Sequence, residues 1–133
     1  MNREVKYRAY IKNDYNKELI GKILEVSSIH LKTKKAIIGY SLSKSNYGNK
    51  SFSFDDIELM QYTGLHDKNG KEIYEGDVVT NGDKNIKYIV EWYDTGLRAR
   101  QYNNKSYIGL EYWKDVLEVI GNMYDNPELL GEE

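Results

Sequence analysis

Over residues 4–12 the chain alternates at every second position: Val5, Tyr7, Ala9 and Ile11 fall on one side, Lys6, Arg8, Tyr10 and Lys12 on the other. Period two marks a strand with one buried face. Asn13-Asp14-Tyr15-Asn16 predicts a turn, because Asn and Asp bond their own backbone and tolerate left-handed angles. Residues 19–32 space Ile23, Val26, Ile29 and Leu31 in a way that suits a short helix or a strand. The β-branched content and Ser27-Ser28 favour a strand from residue 23. Lys32-Thr33-Lys34-Lys35 predicts a basic hairpin turn. Ala36 to Tyr40 predicts a strand apolar on both faces and therefore central. The polar run from Ser41 to Ser51 predicts a mobile loop. Phe52, Phe54, Ile57 and Leu59 then return to the core around Asp55-Asp56.

The second half is punctuated by turns. Gly64, Gly70 and Gly76 stand six residues apart, each beside turn-forming residues. Asn69-Gly70 predicts a hairpin with a type I′ turn. Asn81-Gly82-Asp83 joins a strand at 77–80 to one at 86–93, in which Ile86, Tyr88, Val90 and Trp92 share a face. Asp94-Thr95-Gly96 and Asn103-Asn104-Lys105 turn into strands at 97–102 and 106–110. Residues 111–115 suit a single 3₁₀ turn, and Val116 to Ile120 a last strand. Asn126-Pro127 reads as an N-cap with proline in the first helical position of one short turn. Five short strands with a 3₁₀ turn before the fifth is the layout of an SH3-like barrel. The expected fold is mostly β with minor helix. It comprises a basic β subdomain at 1–58, an acidic SH3-like barrel at 59–126 and a short helical tail at 127–133.

Charge sharpens this division. The net charge of −2 hides a balance of +7 over residues 1–54 and −9 over residues 55–133. Such a split could draw nucleic acid to the basic half, or dock one copy's basic half on another's acidic half. Thirteen tyrosines against one proline suit a thin β structure whose rings pack on pleated surfaces. With no cysteine there is no disulfide or thiolate metal site, and a reducing compartment, the bacterial cytoplasm, is expected. No run approaches the roughly 20 apolar residues that span a bilayer, so no membrane partner is expected.

Three blocks are similar to the YopX family, small proteins of phages and prophages of Gram-positive bacteria. They are Arg3 to Tyr10; Leu59 to Leu65 with Asp67 to Val79; and Glu118 to Leu130. Together they make up about a third of the chain, while residues 12–52 follow no pattern of the family. The resemblance implies a mostly β protein of viral or prophage origin, with an SH3-like barrel in its C-terminal part. It brings no active site with it. Gly64, Asn69, Gly70, Gly76 and Asp77 belong to its hallmark, and a structural role accounts for them: glycines for special backbone angles, Asn69 for the turn.

Catalytic chemistry is sparse. His30 and His66 have no ligand-spaced partner. Setting Gly70 at the glycine of a calcium loop puts Leu65 and Gly76 where carboxylates are needed. No phosphate-cradling glycine motif or nucleophile elbow is present. The carboxylates Asp55, Asp56, Glu58, Glu72, Glu75 and Asp77 give a metal-assisted hydrolase the weakest of three readings. A nucleic-acid-associated regulator comes second. Lys6, Arg8, Tyr10 and Lys12 on the first strand, with Lys32, Lys34 and Lys35 on the next hairpin, would supply charges for phosphates and rings for bases. First stands a non-enzymatic phage or prophage accessory protein, a binding and assembly module without cofactor, forming homo-oligomers or binding another phage or host protein.

Overall fold

A computed structural model describes residues 4–83, 85–93, 96–101, 106–110 and 115–130. With 57% of the described residues in strands and 7% in helical turns, the protein is mostly β. It divides into two compact units: an N-terminal unit, residues 6–61, and a C-terminal unit, residues 1–5 and 62–133. The division falls inside one strand, β5 (Ile57–His66).

The N-terminal unit contains β1 (Tyr7–Ile11), β2 (Ile23–His30), β3 (Lys35–Ser43), β4 (Asn46–Ser53), a 3₁₀ turn at Phe54–Asp56 and the first half of β5. All pairings are antiparallel, and the strand order is β4-β3-β2-β1-β5. The alternation in β1 has the expected consequence. Ala9 and Ile11 lie opposite Leu59 and Ile57 of β5 and pack with Leu19, Ala36, Ile38 and Phe52. The polar run 41–51 is not a loop. It completes β3 and supplies most of β4, paired from Lys35↔Ser53 to Ser43↔Asn46 around a two-residue turn. The register is pinned by the inward residues at the base, where Ala36 faces Phe52. Once set there, it carries outward through a ladder of backbone hydrogen bonds that needs no apolar side chains.

The C-terminal unit contains the second half of β5 paired with β6 (Glu72–Tyr74). It also holds a five-stranded sheet of β7 (Asp77–Thr80), β8 (Tyr88–Tyr93), β9 (Gly96–Gln101), β10 (Tyr107–Gly109) and β11 (Glu118–Asn122). The order is β10-β9-β8-β7-β11. In each unit, four strands follow one another by adjacent pairing and a fifth returns to pair with the first. The two units thus share one strand order, and the closed SH3-like barrel expected at the C-terminal end is not found. Among the described residues both sheets stay open. The expected turns at 94–95 and 103–105 and most of the 3₁₀ turn at 111–115 lie outside the described residues.

The C-terminal sheet is packed on both faces. Val79, Tyr88, Val90, Ala99, Leu117 and Val119 form one core with Ile73 and Leu110. Val78 and Ile89 form a second with Leu130, carried by the 3₁₀ turn Pro127–Leu130. Ile86, Tyr88 and Val90 share a face as expected, but Trp92, near the end of β8, is 41% exposed. The Asn69-Gly70 turn also differs from type I′. Among the described non-glycine residues only Lys17 and Lys34 have positive φ, so Asn69 does not. The Gly70 N–H donates to the Asp67 carbonyl at 3.0 Å, the Asp67 N–H donates to Lys71 at 2.8 Å, and Gly70 sits at φ +84°. This is a type I turn closed by a left-handed glycine, the bulged hairpin form.

Candidate interaction surfaces and the hallmark segment

The basic residues singled out in the sequence are not gathered into one patch. Strand β1 lies between β2 and β5, so Arg8 and Tyr10 are half-buried, opposite Glu25 and Ile23 on one side and Met60 and Glu58 on the other. Lys6, just before β1, is half-buried too. Lys12 is exposed and ion-paired with Glu58 at 3.0 Å. Tyr10 faces Ile23 at the start of β2, whereas Lys32 and Lys34 lie in the turn after its end. The eight residues of β2, about 26 Å of extended chain, separate Lys12 from that turn. Lys32, Lys34 and Lys35 do stay together: all are exposed, and none makes an ion pair among the described residues.

The connection from β1 to β2, residues 12–22, is tied down by a residue the sequence showed only as a turn former. The Asp14 side chain is fully buried. It accepts the Leu19 N–H at 3.1 Å and is ion-paired with Lys50 of β4. Burial pushes the Asp14 carboxyl up. The hydrogen bonds from Lys50 and the Leu19 N–H outweigh burial and hold it below the usual carboxylate range. The connection therefore delivers Leu19 into the core, while Tyr15, 96% exposed, and Ile20 are left outside. Between this connection and β4 lies a cleft of about 430 Å³, lined by Tyr15, Lys17 and Ile20 on one side and by Lys50 to Ser53 on the other. Lys50 lay in the expected loop, so its pairing with Asp14 had no signal in local sequence.

The hallmark segment is a hydrogen-bonded clasp within the C-terminal unit. Asp67, 6% exposed, accepts the N–H groups of Asn69 at 2.8 Å and Lys71 at 2.9 Å on one oxygen. Its other oxygen accepts the Val119 N–H of β11 at 2.9 Å. Burial raises the Asp67 carboxyl, but these three donors outweigh it and hold it low. The Lys68 N–H adds a bond to the Leu117 carbonyl at 2.9 Å. Asp77, 1% exposed, accepts the Tyr74 N–H at 2.7 Å across the Gly76 turn, where φ is +90°. The Gly76 N–H donates to Val90 and its carbonyl accepts from Met123, both at 2.9 Å. Gly64, at φ +86°, sits at the irregularity where β5 meets β6. Asn69 also reaches Glu118 of β11 through its side-chain amide at 3.4 Å. Asp67, missed as a site residue, was legible in principle, because Asp two residues before Asn-Gly is an Asx-turn pattern.

Among the described residues, no three acidic or histidine side chains group as metal ligands would, and no helix is long and apolar enough to cross a membrane. The fold is similar to the crystal structure of protein EF1440 from Enterococcus faecalis. The TM-score is 0.64 at 22% identity, covering 97% of this chain and 99% of that one. No curated protein matches the sequence significantly. The family model described as YopX protein matches residues 6–131, nearly the whole length. The three sequence blocks, the clasp built on the second of them and this match agree: the chain belongs to the YopX family.

Proposed function

We propose that the protein is a non-enzymatic binding and assembly module of a phage or prophage, and that it self-associates by charge complementarity. The observation that carries this reading is where the charge lies. The N-terminal unit holds ten Lys/Arg and six Asp/Glu, a balance of +4. The C-terminal unit holds nine and fifteen, a balance of −6. Charge thus sorts by folded unit, which lets the basic unit of one copy meet the acidic unit of another and favours oriented contact. Light scattering on the eluting protein tests it. Screening length is about 10 Å at 0.1 M salt and about 3 Å at 1 M. The expected result is a dimer or larger species at the lower salt that dissociates at the higher. A monomer at both, at tens of micromolar protein, refutes the reading.

A second reading, a nucleic-acid-associated regulator, draws on the unpaired exposed Lys32, Lys34 and Lys35 turn. It predicts salt-sensitive retardation of single-stranded DNA that Lys34→Glu with Lys35→Glu abolishes. Absence of retardation by the wild type at low salt removes it.

A further inference from the structure

The chain holds two Asn-Gly pairs, Asn69-Gly70 and Asn81-Gly82, and the fold restrains them differently. Asparagine is a heat-labile residue. Before glycine its side-chain amide is open to attack by the next backbone nitrogen, because no Cβ stands in the way. Both glycines leave that path clear, since an added Cβ would meet nothing within 4 Å at either. Ring closure also needs the asparagine backbone to turn and the glycine nitrogen to lose its proton, so the hydrogen bonds that fix that peptide must first open. Exposure alone favours the first pair: Asn69 and Gly70 are both exposed, whereas Asn81 is half-buried beside an exposed Gly82.

Around Gly70 three consecutive N–H groups are held at once. Those of Asn69 and Lys71 donate to the Asp67 carboxylate at 2.8 and 2.9 Å, and that of Gly70 donates to the Asp67 carbonyl at 3.0 Å. The same carboxylate accepts the Val119 N–H, so turning the 69–70 peptide means opening the clasp on β11. The Asn69 side-chain nitrogen, which would have to leave as ammonia, donates to Glu118. Around Gly82 the restraints are longer and local. The Gly82 N–H donates to the Thr80 hydroxyl at 3.3 Å, and the Asp83 N–H donates to the Asn81 side-chain oxygen at 3.2 Å. The second of these is no obstacle. Negative charge builds on that oxygen when the amide is attacked, and an N–H already beside it stabilises the charge.

We propose that Asn81 is a site of spontaneous covalent modification in the folded protein, and that the Asp67 clasp shields Asn69 from the same reaction. The Gly82 nitrogen gives its proton to solvent and bonds to the Asn81 side-chain carbonyl carbon. The side-chain nitrogen takes up a proton and leaves as ammonia, which closes a cyclic imide. Water then opens either carbonyl, giving aspartate, or isoaspartate with the main chain rerouted through the side chain. The sum is asparagine and water to acid and ammonia, with nothing oxidised or reduced. Either product adds a negative charge at the β7–β8 turn of a unit that already carries −6. Aspartate keeps the oxygen that accepts the Asp83 N–H, so the turn survives it. Isoaspartate lengthens the backbone between β7 and β8.

The test incubates the full chain at mildly alkaline pH in heavy-oxygen water, then follows both pairs by peptide mapping and mass spectrometry. The label marks residues hydrolysed during the incubation, so conversion in the later digestion, run in ordinary water, is not counted. Conversion at Asn81 is expected to run about tenfold faster than at Asn69, because only Asn69 waits for the clasp to open. In urea, where neither turn persists, the two rates should converge. Asp67→Asn weakens the clasp and should raise the Asn69 rate while leaving that of Asn81 unchanged. Equal or reversed rates in the folded protein overturn the proposal, as does the absence of conversion at Asn81. A gap that persists in urea overturns it too, since local sequence rather than the fold would then set the order. An Asn69 rate that does not respond to Asp67→Asn refutes shielding by the clasp. None of these outcomes depends on self-association, which light scattering decides separately.

Discussion

Replacing Asp67 by alanine removes one acceptor that serves three backbone N–H groups on two separate segments. The bonds are 2.8, 2.9 and 2.9 Å long, to Asn69, Lys71 and Val119. A hydrogen bond to a charged group contributes about 1.5–3 kcal/mol, and stranding a buried donor costs about 1–3 kcal/mol. Asn69 and Lys71 are exposed, so water takes over much of what they lose; Val119 is buried, and its N–H is left without an acceptor. The expected cost of Asp67→Ala is therefore about 3–4 kcal/mol, a large part of the roughly 5–15 kcal/mol of a typical domain. Asp67→Asn keeps one oxygen for the turn but sets an amide NH₂ against the Val119 N–H, for about 2 kcal/mol. Both tryptophans, Trp92 and Trp113, belong to the C-terminal unit, so urea unfolding followed by tryptophan fluorescence reports on the right unit. The pH dependence has a fixed sign. The folded carboxyl titrates below its unfolded value of 3.8, so its contribution is complete above that value and is lost as pH falls through the folded pKa. Across that window the unfolded state binds more protons, so stability rises with pH, and the rise should shrink in Asp67→Asn. A cost under about 1 kcal/mol for Asp67→Ala would refute the assignment of the clasp to this carboxylate.

Two glycines should respond for different reasons. A Cβ on Gly121 would meet the Asn126 Oδ1 at 2.5 Å and the Leu129 Cδ1 at 2.8 Å, so Gly121→Ala should displace the Pro127–Leu130 turn and cost about 1–3 kcal/mol by thermal melting. At Gly70 nothing lies within 4 Å, so Gly70→Ala should cost only its left-handed backbone, about 1 kcal/mol; a larger loss would mean the hairpin has an unseen contact. Asp14→Asn removes the charge that holds Lys50 and should loosen residues 12–22, so trypsin should cut after Lys17 or Lys22 several-fold faster than in the wild type; equal rates would place the anchor elsewhere.

Local pattern was enough for much of this molecule. Alternation in residues 4–12 predicted β1 and its inward Ala9 and Ile11, because a side-chain period of two is set by the backbone alone. Glycine positions predicted the turns at Gly70, Gly76 and Gly82, because positive φ is a property of single residues. Where the sequence misled, the deciding contact was remote. Residues 41–51 looked like a loop because their strands lean on a register set at Ala36↔Phe52 rather than on their own apolar content. Trp92 looked inward because alternation marks a face but not where the cover over that face ends.

The sequence by itself determined the β character, the family and the reversals at Gly70, Gly76 and Gly82, all of which follow from neighbours a few residues apart. Only tertiary structure decided that Asp14 meets Lys50, that Asp67 reaches Val119 and that the basic residues of β1 stand apart from those of the 31–34 turn. Those pairings join residues 36 and 52 positions apart. Which distant carboxylate finds which partner depends on how the strands are ordered in space, and no local periodicity encodes that order.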